Sequence, residues 1–268
     1  MNLNLESGTF LVAASSEGLG YATAAALADE GARVWIGSRD IAKVSAALDS
    51  LRERARKAGS GAEIDGCVLD MTESASIEAW VLKAAEKFGP DLDGIVCNSG
   101  GPPPGRFADF DDDQWKSAFD LLVMSAVRLV RASLPGLSVR GGAILVVSST
   151  SVKEPIESLI LSNSLRSATA ALAKTLSAEL APLGIRVNCL APGRFATGRV
   201  SRIDKAAAER RGITAEQARA ASEAVIPLAR YGDVGEFGRT ACWLLSPAAS
   251  YLTGQIVSLD GGSTKGVW

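Results

Sequence analysis

Four side chains between positions 149 and 166 carry the reactive chemistry of this sequence: Ser149, Lys153, Ser162 and Arg166. Ser149 belongs to a run of hydroxyls, residues 148–151, that follows the apolar segment 143–147. Ser162 and Arg166 stand four residues apart in a stretch rich in Ala and Leu, which places them one above the other on a helix face. Hydroxyls beside a guanidinium can orient a carbonyl oxygen and stabilise charge on it. They supply no good acid, because an aliphatic hydroxyl is far weaker than a phenol and a guanidinium stays protonated at neutral pH. No His occurs in the 268 residues, which removes the commonest general base and metal ligand together. Lys153 becomes a replacement acid if it is desolvated against Arg166, whose charge would push its pKa down. The alternative is a solvated lysine paired with Glu154 or Glu157.

The elements that must hold these groups alternate strand and helix along the chain. Residues 8–13 form a β-rich run, residues 21–30 a strong helix former ending at Gly31, and between them lies Ala14-Ser15-Ser16-Glu17-Gly18-Leu19-Gly20. Strand, Gly-rich turn and helix in that order point backbone N–H groups at a pyrophosphate from the positive helix end. Here Ala14, Ser16, Gly18, Leu19 and Gly20 are the candidate cofactor contacts. A second strand, 32–37, ends in Ser38-Arg39-Asp40. A guanidinium there can pair with a 2'-phosphate, which favours NADP(H) over NAD(H); alternatively Arg39 is solvated and Asp40 simply caps the next helix.

Helix 41–58, strand 66–69 and helix 74–88 follow, with Asp70 and Met71 where an adenine would rest. Strand 92–97 opens into Asn98-Ser99-Gly100-Gly101 and a run of prolines, candidate contacts for the inner half of a dinucleotide. Asp111, Asp112 and Asp113 open a helix running to about residue 134, where carboxylates favour the positive end; capping outweighs metal binding, and no metal is expected. Strand 184–190 ends before Pro192, Gly193 and Thr197. Residues 198–226 are charged and Ala-rich, with two short helical stretches, 203–211 and 214–224, interrupted by Gly212; placed after a strand's carboxyl end, they read as a substrate lid. A helix over 233–246 and a strand over 255–259 close a single α/β domain spanning 1–268. The expected architecture is a Rossmann-like doubly wound sheet of about seven mostly parallel strands with helices on both faces.

Composition narrows the partners. A net charge of -2 exerts no long-range pull on phosphate polymers, which argues against nucleic acid. No apolar run approaches the roughly 18 residues of a spanning helix, and the start has no basic region leading into an apolar stretch, so a cytoplasmic protein away from membranes is expected. Cys67, Cys97, Cys189 and Cys242 are far apart in apolar surroundings, a pattern of buried, reduced thiols. Residues 157–183 are apolar on more faces than a surface helix needs, consistent with a homodimer or homotetramer formed through that helix.

Taken together, the motifs resemble the short-chain dehydrogenase/reductase family, nearest to 3-oxoacyl-[acyl-carrier-protein] reductases, over nearly the whole chain. The family's Gly-xxx-Gly-x-Gly loop matches Ala14-xxx-Gly18-x-Gly20, its Asn-Asn-Ala-Gly matches Asn98 through Gly101, and its Pro-Gly-xxx-Thr matches Pro192-Gly193 through Thr197; the stretch 251–262 is similar to its last strand. The resemblance implies hydride transfer between a nicotinamide and a carbonyl or alcohol substrate, with a tetrad of Asn, Ser, Tyr and Lys. In this chain the tetrad positions fall on Leu122, Ser149, Ser162 and Arg166, so only Ser is retained. Losing the general acid costs about 10²- to 10⁴-fold, whereas positioning alone contributes about 7 to 11 kcal/mol. Two readings follow: an NADP(H)-dependent oxidoreductase with an atypical proton donor, or a nucleotide-binding scaffold or sensor that has lost turnover.

Overall fold

Apolar alternation in the short strands sets the layers. The computed structural model describes residues 2–267; of the expected unit 1–268, Met1 and Trp268 lie outside the described residues. In β1 (Thr9–Ala13), Phe10 and Val12 face one core layer while Leu11 and Ala13 face the other, as a period of two requires. The first layer is completed by α1 (Gly18–Asp29), α2 (Ile41–Ala58) and α9 (Val234–Leu245), through Leu27, Leu51 and Phe237. The second is completed by α3 (Ser74–Phe88), α5 (Ser125–Leu137) and α6 (Ile160–Glu179), through Trp80, Leu129 and Ala173. Trp80 is fully buried and its indole N–H donates to the Ile36 carbonyl at 3.2 Å; truncating it to Ala would cost about 3–5 kcal/mol.

Six further strands join β1: β2 (Arg33–Ser38), β3 (Glu63–Val68), β4 (Gly94–Cys97), β5 (Gly142–Val147), β6 (Ile185–Pro192) and β7 (Ile256–Leu259). Their order is β3-β2-β1-β4-β5-β6-β7, and every pairing is parallel. The expected doubly wound sheet is present, with no antiparallel strand. After β3 the chain returns to the far side of β1, so the order reverses between β1 and β4 and opens a crevice at the strands' carboxyl ends.

Helix ends follow local chemistry. Asp40 caps α2 by accepting from Ala42 N and Lys43 N at 2.9 and 3.1 Å, and Gly59 ends it in the left-handed region. Asp111 opens α4 (Asp112–Phe119) with a capping box to Gln114, the role expected of that acidic run. The helix expected to run to about residue 134 continues through α5 to Leu137, with a π turn, Asp120–Met124, set within it. The long helix expected over 157–183 contracts to α6. Ser158 adopts a positive φ of 59° before it, and a 3-10 turn containing Pro182 follows it. Cys97, Cys189 and Cys242 are buried, and burial pushes each thiol up to about 12; Cys67 is half-buried. No helix among the described residues is long and apolar enough to cross a membrane.

Candidate functional site

The crevice is built from the ends of β1, β2, β4, β5 and β6. At β1, the chain turns through Ala14 with φ 47°, the left-handed conformation that Gly adopts without strain. Ser15 is buried; its hydroxyl donates to the Val12 carbonyl at 2.6 Å and accepts from Gly37 N at 3.1 Å, fixing the turn against β2. Asn98, from the end of β4, donates to the carbonyls of Ala13 and Ala14 at 3.3 and 3.1 Å. Gly20 must be Gly, since a β-carbon there would run into the Ala14 carbonyl and the Asn98 amide. Gly18, also at positive φ, completes the turn, and Leu19 packs against the first core layer.

This loop is shaped for a phosphate. Glu17 occupies the N-cap of α1 but makes no side-chain cap, its carboxylate turning instead to Lys43 at 3.2 Å. No acidic residue stands in the first turn, so the first N–H groups of α1 keep their capacity for an anion. At the end of β2, the Ser38 hydroxyl is buried and unpartnered among the described residues, next to the exposed Arg39. Asp70 lies near Arg39. Burial raises the Asp70 carboxyl, but hydrogen bonds from Thr72 and the charge of Arg39 outweigh it, and its pKa falls below the usual value. These donors fit a dinucleotide with a 2'-phosphate. Met71 is buried in the second core layer, so packing accounts for it as well.

At the end of β5, Ser149 caps a 3-10 turn, accepting from Ser151 N at 3.1 Å. The hydroxyls of Ser148 and Ser151 are buried and unpartnered among the described residues. Ser162 is buried on α6, with Arg166 one turn further. The Arg166 guanidinium donates to the carbonyls of Val147 and Ser148 at 3.0 and 3.3 Å, tying α6 to the strand end beside Ser149. Burial, and next the charge of Arg199, hold its pKa down to about 10, so it remains a cation at neutral pH. Leu122, carried by the π turn, lines a cavity of about 10 Å³ with Arg166, Asn98, Ser99 and Thr169. That volume suits one water.

Lys153 does not join this group. It is exposed and caps the far end of the 3-10 turn, so the desolvation expected of it is missing, and the cation facing Arg166 is Arg199. Neither proposed ion-pair partner holds it. Glu157 pairs with Arg106 at 2.9 Å, and Glu154 accepts from Lys265 N at 3.2 Å. Among the other expected contacts, Ser16 is half-buried and Ser99 donates to Gly100 O at 3.1 Å. Pro192 ends β6 and Gly193 N donates to Leu259 O at 3.0 Å. The Thr197 hydroxyl accepts from Val200 N at 3.3 Å, capping α7 (Gly198–Arg211).

That helix begins five residues before the expected 203–211 stretch, and Gly212 in the left-handed region separates it from α8 (Ala215–Glu223). Two features here escaped the sequence reading. Asp204 on α7 is buried and accepts from Tyr231 Oη at 3.0 Å and Arg194 Nη1 at 3.1 Å, while Arg219 stacks over the Tyr231 ring at 5.1 Å. Burial pushes the Tyr231 phenol up, keeping it protonated as a donor. Arg199 on α7 lies against Gly101 and donates to Pro102 O at 3.4 Å. An acid among the lysines and arginines of α7, and an arginine in its first turn, were the readable signals.

With the geometry established, relatives can be placed. A family model described as "Enoyl-(Acyl carrier protein) reductase" matches residues 13–264. The chain belongs to the short-chain dehydrogenase/reductase family. A putative ketoacyl reductase of the monensin polyketide synthase from Streptomyces virginiae is 32% identical over 255 residues, covering 94% of this chain and 95% of the relative. L-sorbose reductase from Gluconobacter frateurii, solved with NADPH and L-sorbose, superposes with a TM-score of 0.93 at 28% identity, each chain covered completely. An NADPH-bound short chain oxidoreductase from Pseudomonas aeruginosa PAO1, described as containing an atypical catalytic center, superposes with a TM-score of 0.86 at 29% identity over 97% of this chain and 98% of that one. In this chain Ser149 follows the end of β5, Ser162 and Arg166 stand one turn apart on α6, and Leu122 on the π turn lines the same cavity as Arg166.

Proposed function

We propose that this protein is an NADP(H)-dependent oxidoreductase interconverting a carbonyl and an alcohol, with a proton delivered from solvent in place of a tyrosine. The observation that carries this reading is the open phosphate cradle of α1, with Ser38 and Arg39 beside it, leading along one crevice to Ser149. NADPH-bound relatives at 28% and 29% identity support the cofactor choice. When bound, NADPH supplies the hydride. Ser149 donates a hydrogen bond to the substrate oxygen, and Arg166 presents a fixed positive charge beside it. Ser162 lies one turn from Arg166 but is too short to reach where a phenol oxygen would stand, leaving room for a water to deliver the proton. Residues 198–226 act as the lid over the substrate.

A scaffold or sensor reading is favoured by one feature. The Arg166 guanidinium is bonded to two backbone carbonyls, a structural use of that side chain. Fluorescence titration with NADPH and NADH, followed by NADPH oxidation against diketones, quinones and β-ketoacyl thioesters, separates the two. Turnover establishes the oxidoreductase; tight binding without turnover on any of them establishes the scaffold. Self-association as a homodimer or homotetramer belongs to the same proposal. The outward face of α6 carries the small exposed residues Ser164, Ala168 and Ala171, which permit close helix pairing. Mass measurement in solution tests it.

A further inference from the structure

The end of the crevice between the Pro102 loop and α7 holds a surplus of positive charge. Arg166, Arg199 and Arg202 form no ion pair with a carboxylate among the described residues. Arg199 crosses Gly101 so closely that a β-carbon there would overlap its guanidinium. Asn98 and Ser99, at the start of the same loop, line the cavity that Arg166 closes from the other side. Arg199 stands in the first turn of α7, which has no acidic residue, and Arg202 follows in the next turn, so the helix dipole adds to the charge of Arg199 instead of offsetting it. Burial, and next a neighbouring arginine, lower the pKa of both Arg166 and Arg199. Arg166 is half-buried while Arg199 and Arg202 reach solvent, and an anion among these like charges would offset their repulsion.

The donors for dinucleotide phosphates, the first turn of α1 and Arg39, follow β1 and β2. Thr197 at the start of α7 borders that loop, 3.8 Å from where a β-carbon on Gly18 would stand. Arg199 turns instead across Gly101 to the Pro102 carbonyl, and Arg166 is held at the end of β5. These two guanidiniums thus face the loop after β4, on the side of Ser149, where the anion to be matched is one carried by the substrate.

We infer that the substrate is an oxo acid, whose carboxylate lies between Arg199 and Arg166 while a carbonyl one or two carbons away meets Ser149. This rests on the oxidoreductase reading and narrows it. In the reduction, the carbonyl carbon gains the hydride of NADPH, the π pair passes to oxygen, and that oxygen takes a proton from solvent; a hydroxy acid and NADP⁺ leave.

The test uses 2-oxo-4-phenylbutanoate and its ethyl ester, titrated calorimetrically into the protein saturated with NADP⁺. No hydride is then available, so binding is read apart from turnover. The acid is expected to bind at least about 10-fold tighter than the ester, as expected for charge-assisted hydrogen bonds. Arg199→Gln removes that preference, Arg199→Lys keeps part of it, and Arg202→Gln reduces it less; NADPH affinity stays within about 2-fold in all three. Equal binding of acid and ester, or no binding of the acid, overturns the proposal. So does a loss of NADPH affinity in Arg199→Gln, which would assign the cluster to cofactor phosphates. An intact acid preference without any NADPH oxidation supports the anion site and sinks the oxidoreductase reading instead.

Discussion

The two ends of the crevice have fared differently. At β1 and β2 the binding surface consists mainly of backbone: an uncapped helix start, a turn held by Ser15 and Asn98, and one exposed guanidinium. Replacing the first loop Gly by Ala14 leaves that shape in place, at a strain of about 1 kcal/mol. At β5 and α6 the function depends on the reach and acidity of particular side chains. In the proposed active site, Leu122, Ser162 and Arg166 are the residues that would have to do this work, and none of them is an acid. Backbone donors survive side-chain replacement because they are made by the fold; proton transfer from a side chain does not, because it needs an acid of the right strength in the right place.

The largest test of that contrast restores the acid. Ser162→Tyr combined with Arg166→Lys should raise the rate of NADPH oxidation with a β-ketoacyl thioester by about 10²- to 10⁴-fold, measured as kcat/KM. Because Arg166 is held at about 10, the native rate should be lost only as pH rises past that value and the cation discharges. The restored pair should introduce a further titration below it. An unchanged rate in the double variant would mean that the β5–α6 end has drifted in shape as well as in chemistry.

Next in size, Arg39→Ala should weaken NADPH by about 10- to 100-fold, the loss of a charge-assisted contact, with NADH changed less than about 2-fold. The increase in Tm that NADPH gives the native protein should shrink in parallel. Equal losses for both nucleotides would put Arg39 outside the 2'-phosphate site. A smaller effect is expected at Ala14→Gly, which relieves the positive φ and should stabilise the protein by about 1 kcal/mol, or a few degrees in Tm, without altering NADPH affinity. Smallest of all, Lys153→Ala should change turnover by less than about 2-fold, since the side chain lies in solvent. A larger drop would bring it back as the proton source.

Much of the fold was legible because it rests on local signals. Asp40 and Gly59 bracket α2 as their residue types require, and Ser74–Phe88 forms over the span its apolar spacing demands. The π turn at Leu122 was not legible, since nothing in Asp120–Met124 breaks a helix locally; Phe110, Trp115 and Ile160 pack against its neighbours in a small tertiary cluster. The cofactor end could be read from spacing alone, because glycines and a strand-end arginine act at fixed offsets. Arg199 could not, because its partner Gly101 lies 98 residues away and only the folded loop brings them together. Lys153 failed for the opposite reason: nearness in sequence to Ser149 gave it no shelter from water.

The buried carboxylate of Asp204 sets how α7 can move. Lifting α7 would part that carboxylate from both Arg194 and Tyr231, at about 1.5–3 kcal/mol for each hydrogen bond to a charged group. The stretch after α8 is held differently: Ile226 is buried and Leu228 N donates to Gly261 O at 3.1 Å, while Val225 and the Leu228 side chain are exposed. In the proposed role of residues 198–226 as a lid, α7 is an edge held in place, and its arginines stay where they are.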